Sequence, residues 1–290
     1  MAKTMGLKDG WALDLTQVDP EDGRPWDFSD PGKQAKAKAL LKSDEPLMLV
    51  ACPMCDPFSQ LNEVFNYPKQ QKQDVENKIE DGLKHIKFTV ELCLMQYQAG
   101  RLFLFEHPAS ASSWSAQSLQ LLRSLQGVHH VNFDFCTLGM ETTARDRQKV
   151  AARKRTGILT NSGAIASLLS EAQCRREHAH EHLLDGRAGP CQRYPDKFCK
   201  LICEGVKREI DSVEWRRRLY KMFDISTAFG QLMSVQSQLE DAATPMEEDP
   251  FAAMYEDMGF VDDISGMPLD KAMAVQARRT STRPHASARA

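Results

Sequence analysis

Residues 47–59 read LMLVACPMCDPFS, and this stretch decides the fold. Its first half, Leu47 to Ala51, is a continuous apolar run of strand length, the mark of a strand buried on both faces of a parallel sheet. The run breaks at Cys52-Pro53-Met54-Cys55, a tight turn followed by Phe58-Ser59. A second run, Arg101-Leu102-Phe103-Leu104-Phe105, ends at Glu106-His107-Pro108. Between the two, Val75, Ile79, Leu83, Ile86, Val90 and Leu94 recur at steps of three and four. That spacing predicts a long helix over 71–98 with one apolar stripe, ended by Gly100.

Outward from this core the alternation continues. Trp11 to Leu15 predicts a short strand carrying Asp14 near its end, followed by a polar loop with Asp19-Pro20, Asp22-Gly23 and Pro25 as turn signals. Gly32 to Ser43 predicts a helix. Downstream, Ser115 is placed to cap a helix carrying Leu119, Leu122 and Leu125. Val128 to Phe135 and Thr156 to Thr160 predict further strands, Ser162 to Ala172 a helix, and Pro195 opens a helix through Cys203. Strand–helix alternation predicts an α/β fold: a Rossmann-like, mainly parallel sheet with helices on both faces. In such sheets functional groups gather at the carboxyl ends of the strands, which singles out Asp14, Cys52, Cys55 and Glu106.

After Gly205 the pattern changes. Residues 206–239 predict a helical extension, with Trp215, Leu219, Met222 and Phe223 as its apolar side. Residues 240–290 are first acidic and then basic, and predict a disordered, charge-segregated linker.

The chain has 290 residues, 37 Lys plus Arg against 40 Asp plus Glu, and a net charge of -3. This excludes a strongly basic, histone-type nucleic-acid binder but leaves room for a local basic patch. No apolar run approaches the roughly 18 residues of a membrane span. The start, MAKTMGLKDG, has no apolar segment of a secretory signal, so an intracellular location, nucleus or cytoplasm, is expected. The eight cysteines are accordingly read as free thiols, metal ligands or a nucleophile, not as a disulfide framework. Cys93, Cys199 and Cys203 fit buried structural positions.

Several groups could carry chemistry. Cys55, in a turn after an apolar strand, is placed as an exposed nucleophile whose pKa a following helix N-terminus would lower. Cys52-x-x-Cys55 equally suits a thioredoxin-like redox turn or half a metal site. Glu106, beside Phe103 and Phe105, is placed to have a raised pKa and to act as a general acid. Arg153-Lys154-Arg155, with Arg145, Arg147 and Lys149, forms the densest basic stretch and suits phosphate contacts. Cys174, His178, His180, His182 and Cys191 invite a metal reading. Their spacing matches no zinc pattern, however, and fits a polar loop, so no metal ligand is assigned.

The order of these motifs resembles the DNA (cytosine-5)-methyltransferase family. The matching sequence runs from a strand with an acidic end, through Trp26-Asp27-Phe28, Pro-x-Cys-x-x-Phe-Ser and Glu-x-Pro, to Arg-x-Arg with a strand and Tyr194-Pro195. The resemblance implies Cys55 as the thiol that attacks carbon 6 of an extruded cytosine. It implies Glu106 as the acid at ring nitrogen 3, with Arg153 or Arg155 as the supporting cation. S-adenosylmethionine would be the methyl donor, with Asp14 at its ribose and Asp27 near its adenine, and DNA the partner. GWALDLTQVDPEDGRPWDFS, EHPASASSW, RTGILTNS and YPDKFCKLICEG resemble more closely the methyltransferase-like segments of retrotransposon polyproteins abundant in dinoflagellate genomes. FVDDISGMPLDKAMAVQARR resembles the linker before a copia-type reverse transcriptase there.

The departures carry expectations of their own. The family's glycine-rich loop on the first strand has no counterpart, which implies an N-terminally truncated sheet missing that strand. Met54 stands where the family has Pro, and His107 where it has Asn. The expectation is therefore an incomplete cytosine-5-methyltransferase-like domain over 1–205, of retroelement origin and weak or inactive. The alternatives are a non-catalytic nucleic-acid- or partner-binding remnant and a thioredoxin-like or metal-binding protein.

Overall fold

Seven consecutive residues, Leu102–Pro108, form the strand around which the sheet is built, and the first six are buried. The computed structural model describes residues 1–144, 147–183 and 186–212. In chain order these contain α1 (Pro31–Asp44), β1 (Met48–Ala51), α2 (Lys72–Gln98), β2 (Leu102–Pro108), α3 (Gln117–Ser124) and β3 (His129–Asp134). Then follow β4 (Glu141–Thr143), β5 (Lys149–Ala152), β6 (Arg155–Thr160), α4 (Gly163–Ser170), β7 (His180–Glu181) and α5 (Asp196–Asp211). Residues 213–239 of the expected helical extension and the expected linker over 240–290 lie outside the described residues, as does Arg145.

The main sheet has the order β1-β2-β6-β3. β1 runs parallel to β2, from Met48 opposite Leu102 to Ala51 opposite Phe105. β6 is antiparallel to both its neighbours, with Ile158 opposite Glu106 on one side and Val131 on the other. This corrects the expected Rossmann-like, mainly parallel arrangement: the sheet is mixed. The reason lies in the connection. Parallel neighbours need a crossover, usually a helix, and none separates β3 from β6. The intervening chain instead forms a β4–β5 hairpin, which with β7 makes a second, three-stranded sheet.

Helices cover both faces, as expected. One face of β2, with Leu102 and Leu104, joins Phe133 and Ile158 in a core completed by Ile165 and Leu169 of α4 and Phe198, Ile202 and Val206 of α5. α2 packs on the other face through its stripe, where Ile86, Val90 and Cys93 are fully buried, and α3 packs beside it. Hydrogen bonds from side chains extend the ladder beyond β6: Asn161 Oδ1 accepts from Phe103 N at 2.9 Å and its Nδ2 donates to Arg101 O at 2.8 Å.

Three local expectations change. Trp11 to Leu15 is not a strand; Trp11 and Leu15 are exposed and the segment pairs with no described edge. Short apolar–polar alternation needs a neighbouring strand to become one, and this segment leaves the free edge of β1 unpaired among the described residues. α3 starts after Ala116, and Ser115 ends a preceding 3₁₀ turn, its hydroxyl donating to Ser112 O. α5 runs through Gly205 to Asp211, so the expected boundary near 205 falls inside a helix. Gly205 serves packing there: a Cβ would stand 2.4 Å from Ile165 Cγ1.

Candidate functional site

Glu106 is positioned by register. Opposite Ile158, it shares a sheet face with Thr156 and, by the period-two alternation of side chains, with Lys154 just before β6. Tyr194, on the turn leading to Pro195 and α5, donates its hydroxyl to Glu106 Oε2 at 2.5 Å. Its ring stacks on Phe135 at 5.7 Å and lies 5.0 Å from Phe198. Lys154 Nζ sits over the Phe135 and Tyr194 rings, at 5.0 and 5.7 Å, and donates to Cys191 O at 3.3 Å. Glu106 is only 6% exposed, and its Oε1 is buried without a hydrogen-bond partner among the described residues. Burial raises its pKa above the usual carboxylate range, against the Lys154 charge and the nearby Tyr194 and Thr156 hydroxyls.

The cysteine turn lies close enough for the Glu106 charge to act on both of its thiols. Cys55 opens a three-residue 3₁₀ turn, Asp56–Phe58, whose Pro57 and Phe58 are buried. Gly82 of α2 makes room for it: a Cβ there would lie 2.8 Å from the Phe58 ring. Tyr67 Oη donates to Pro57 O at 2.7 Å, and Asn62 Nδ2 to Asp56 O at 2.8 Å. Cys52 and Cys55 are free thiols reached by solvent, yet neighbouring atoms crowd them. Desolvation, and after it the Glu106 charge, pushes Cys52 up to about 12 and raises Cys55. The lowered pKa expected from a following helix is therefore absent, because three residues of 3₁₀ turn offer little dipole.

The structure thus brings together Cys52, Cys55 and Glu106, the residues singled out at strand ends. Neither expected arginine joins them. Arg155, on the opposite alternation, pairs with Asp134 at 3.0 Å, and Arg153 is exposed. The cation acting on Glu106 and both thiols is Lys154. Alternation from Ile158 back through Thr156 is the sequence signal that points to it.

The neighbouring His107 faces the other way. It is fully buried among the rings of Phe58, Phe105 and Trp114, 5.8 to 6.2 Å between centroids, with neither ring nitrogen hydrogen-bonded. Burial holds its pKa down to about 4.

Asp14 and Asp27 do not fit a cofactor cradle. Both are exposed and close local turns: Asp14 Oδ1 accepts from Thr16 N and Oγ1 at 2.6 Å each, and Asp27 Oδ1 from Ser29 N at 2.9 Å. Neither stands at a strand end.

A second group forms where the polar loop after α4 was expected. Cys174, His178 and His180 meet Cys136, which follows β3, with one ligand atom from each within 4.8 Å of all the others. His182 is exposed outside it, and Cys191 Sγ points to Glu141 O. Cys93 is buried as expected, whereas Cys199 and Cys203 are only partly so. Among the described residues no helix is long and apolar enough to cross a membrane. Compared with known proteins, the chain matches no family model, no curated protein and no solved structure.

Proposed function

We propose that Cys55 and Glu106 form a cytosine site of a DNA cytosine-5-methyltransferase-like domain of retroelement origin. The observation that carries the proposal is the buried, unpartnered Oε1 of Glu106 on a carboxyl group with a raised pKa, beside an accessible thiol. Tyr194 donates to Oε2, so a proton on Glu106 resides on Oε1. A neutral carboxyl can donate to nitrogen 3 of cytosine, which is an acceptor there. Thymine carries N–H at that position and offers no acceptor. The base must be unstacked to reach Cys55 and Glu106, which favours single-stranded or flipped DNA.

The chemistry that follows is reversible addition. The Cys55 thiolate forms a bond to carbon 6 while Glu106 passes its proton to nitrogen 3, and carbon 5 becomes nucleophilic. The raised pKa of Cys55 keeps most of the thiol protonated at neutral pH, so the addition is slow. In the family S-adenosylmethionine supplies a methyl group to carbon 5. Asp14 and Asp27 do not fit that cofactor, and the proposed chemistry stops at addition. The same raised thiol pKa values favour, as a second reading, a remnant that binds cytosine without adding to it. They weigh against a thioredoxin-like role, which needs a ready thiolate.

Competition between single-stranded oligonucleotides rich in cytosine and in thymine tests the site. One lost hydrogen bond with a buried donor left unpaired costs about 1–3 kcal/mol, so a preference for cytosine of about fivefold or more is expected. Equal binding, or none, refutes the proposal.

A further inference from the structure

We propose that Cys136, Cys174, His178 and His180 form a structural zinc site. Their ligand atoms all lie within 4.8 Å of one another. Sulfur–nitrogen separations are 3.8 Å for Cys174 to His178, 3.4 Å for Cys174 to His180 and 3.3 Å for Cys136 to His180. A tetrahedral ion with Zn–S near 2.3 Å and Zn–N near 2.05 Å requires such pairs to be about 3.6 Å apart. These three separations thus match the edges of such a tetrahedron, and the remaining ligand atoms lie within 4.8 Å of one another.

The donor set is equally selective. Two thiols and two imidazoles are soft and borderline ligands that suit zinc and are wrong for magnesium or calcium. Four protein ligands close the coordination sphere and leave no open position, the pattern of a structural and not a catalytic ion.

Neighbouring residues hold the ligands. Cys174 N donates to Asp134 Oδ2 at 3.0 Å, and Arg155 holds the same oxygen. Arg176, with a left-handed φ of 62°, turns its N–H to Cys174 Sγ at 3.3 Å, a donor that favours thiolate. Cys136 sits in the 3₁₀ turn Phe135–Leu138 directly after β3, and Thr137 Oγ1 bonds Asp134 O and Ala172 O across to the loop.

The ion's work would be architectural. β7 has only two residues, and the loop from Ala172 to His180 buries little apolar surface. Fixing that loop to the end of β3 positions the second sheet beside Phe135, on which Lys154 and Tyr194 rest. Three ligands fall within 174–180, but the fourth comes from the far end of another strand, which is why linear spacing matched no zinc pattern. This inference does not depend on the cytosine reading.

The test is cobalt substitution in the full chain, purified with reducing agent and stripped of metal. One equivalent of Co²⁺ is expected to give the intense visible bands of tetrahedral coordination together with thiolate charge-transfer absorption, both bleached by Zn²⁺. Cys136→Ser and His178→Ala are expected to weaken Co²⁺ binding by more than about tenfold, since even outer-shell changes cost that much. Cys203→Ser is expected to leave it unchanged. Wild-type protein with confirmed free thiols that shows no such spectrum overturns the proposal, whatever the variants do. So does a spectrum that survives Cys136→Ser and Cys174→Ser but is lost in Cys52→Ser with Cys55→Ser.

Discussion

Lowering the pH from 6.5 to 4 should destabilise this protein through His107. The imidazole has no exposed surface and no well-formed hydrogen bond among the described residues, so the Glu106 backbone relieves its charged form only in small part. Its folded pKa of about 4 lies below the ordinary histidine value of about 6.5. In the window between them the unfolded chain binds a proton that the folded chain refuses, so stability is full above 6.5 and falls as the pH drops. At about 1.36 kcal/mol per pKa unit, the depression corresponds to about 3 kcal/mol lost across the window. His107→Leu fits the aromatic cage with a similar volume and cannot titrate. Urea unfolding of both proteins at several pH values between 4 and 7, read as a difference, isolates the effect from every other titrating group. The variant should gain about 3 kcal/mol on the wild type between pH 7 and pH 4. A constant difference across the range would refute the reasoning, and with it the placement of His107 away from water.

Other expectations follow from single contacts. Gly205→Ala should destabilise by about 1–3 kcal/mol in denaturant melts, because the new Cβ meets Ile165 at 2.4 Å; an exposed helical glycine would instead give a gain of about 1 kcal/mol. Gly82→Ala should push Phe58 and the Cys55 turn outward, changing the alkylation rate of Cys55 while far-UV circular dichroism stays the same. Glu106→Gln keeps a donor for nitrogen 3 but cannot give up a proton, so it should retain the cytosine preference and lose any reaction at carbon 5. Addition in the wild type should follow a bell-shaped pH profile, rising as Cys55 ionises and falling as Glu106 loses the proton its raised pKa retains.

What the sequence discloses and what it hides divide along a physical line. Leu102 to Phe105 announced a buried strand, and Val75 to Leu94 a one-faced helix, because burial imprints period and composition directly on the residues concerned. Strand direction leaves no such imprint. Thr156 to Thr160 has the apolar content of a parallel strand, and only the missing helix between Phe135 and Thr156 signals that it runs backward. Trp11 to Leu15 shows the converse, a strand-like pattern that joins no described sheet. At the site, Cys55 and Glu106 were legible because both end apolar runs. Lys154 was hidden inside a run of cations, where alternation, not charge, separates it from Arg153 and Arg155. Cys136 was hidden altogether, since its partners are neighbours only in space.

The central claim is that Cys55 can add to carbon 6 of a cytosine whose nitrogen 3 meets Glu106. Addition turns carbon 5 into a nucleophile that takes a deuteron from D₂O before the thiolate leaves and the original hydrogen is lost. Incubating the full chain with a single-stranded cytosine oligonucleotide in D₂O, and reading carbon-5 deuterium by mass spectrometry, measures this without any cofactor. The account predicts exchange with wild-type protein that disappears in Cys55→Ala. Oligonucleotide binding with no exchange at any pH, or exchange that persists in Cys55→Ala, would contradict it.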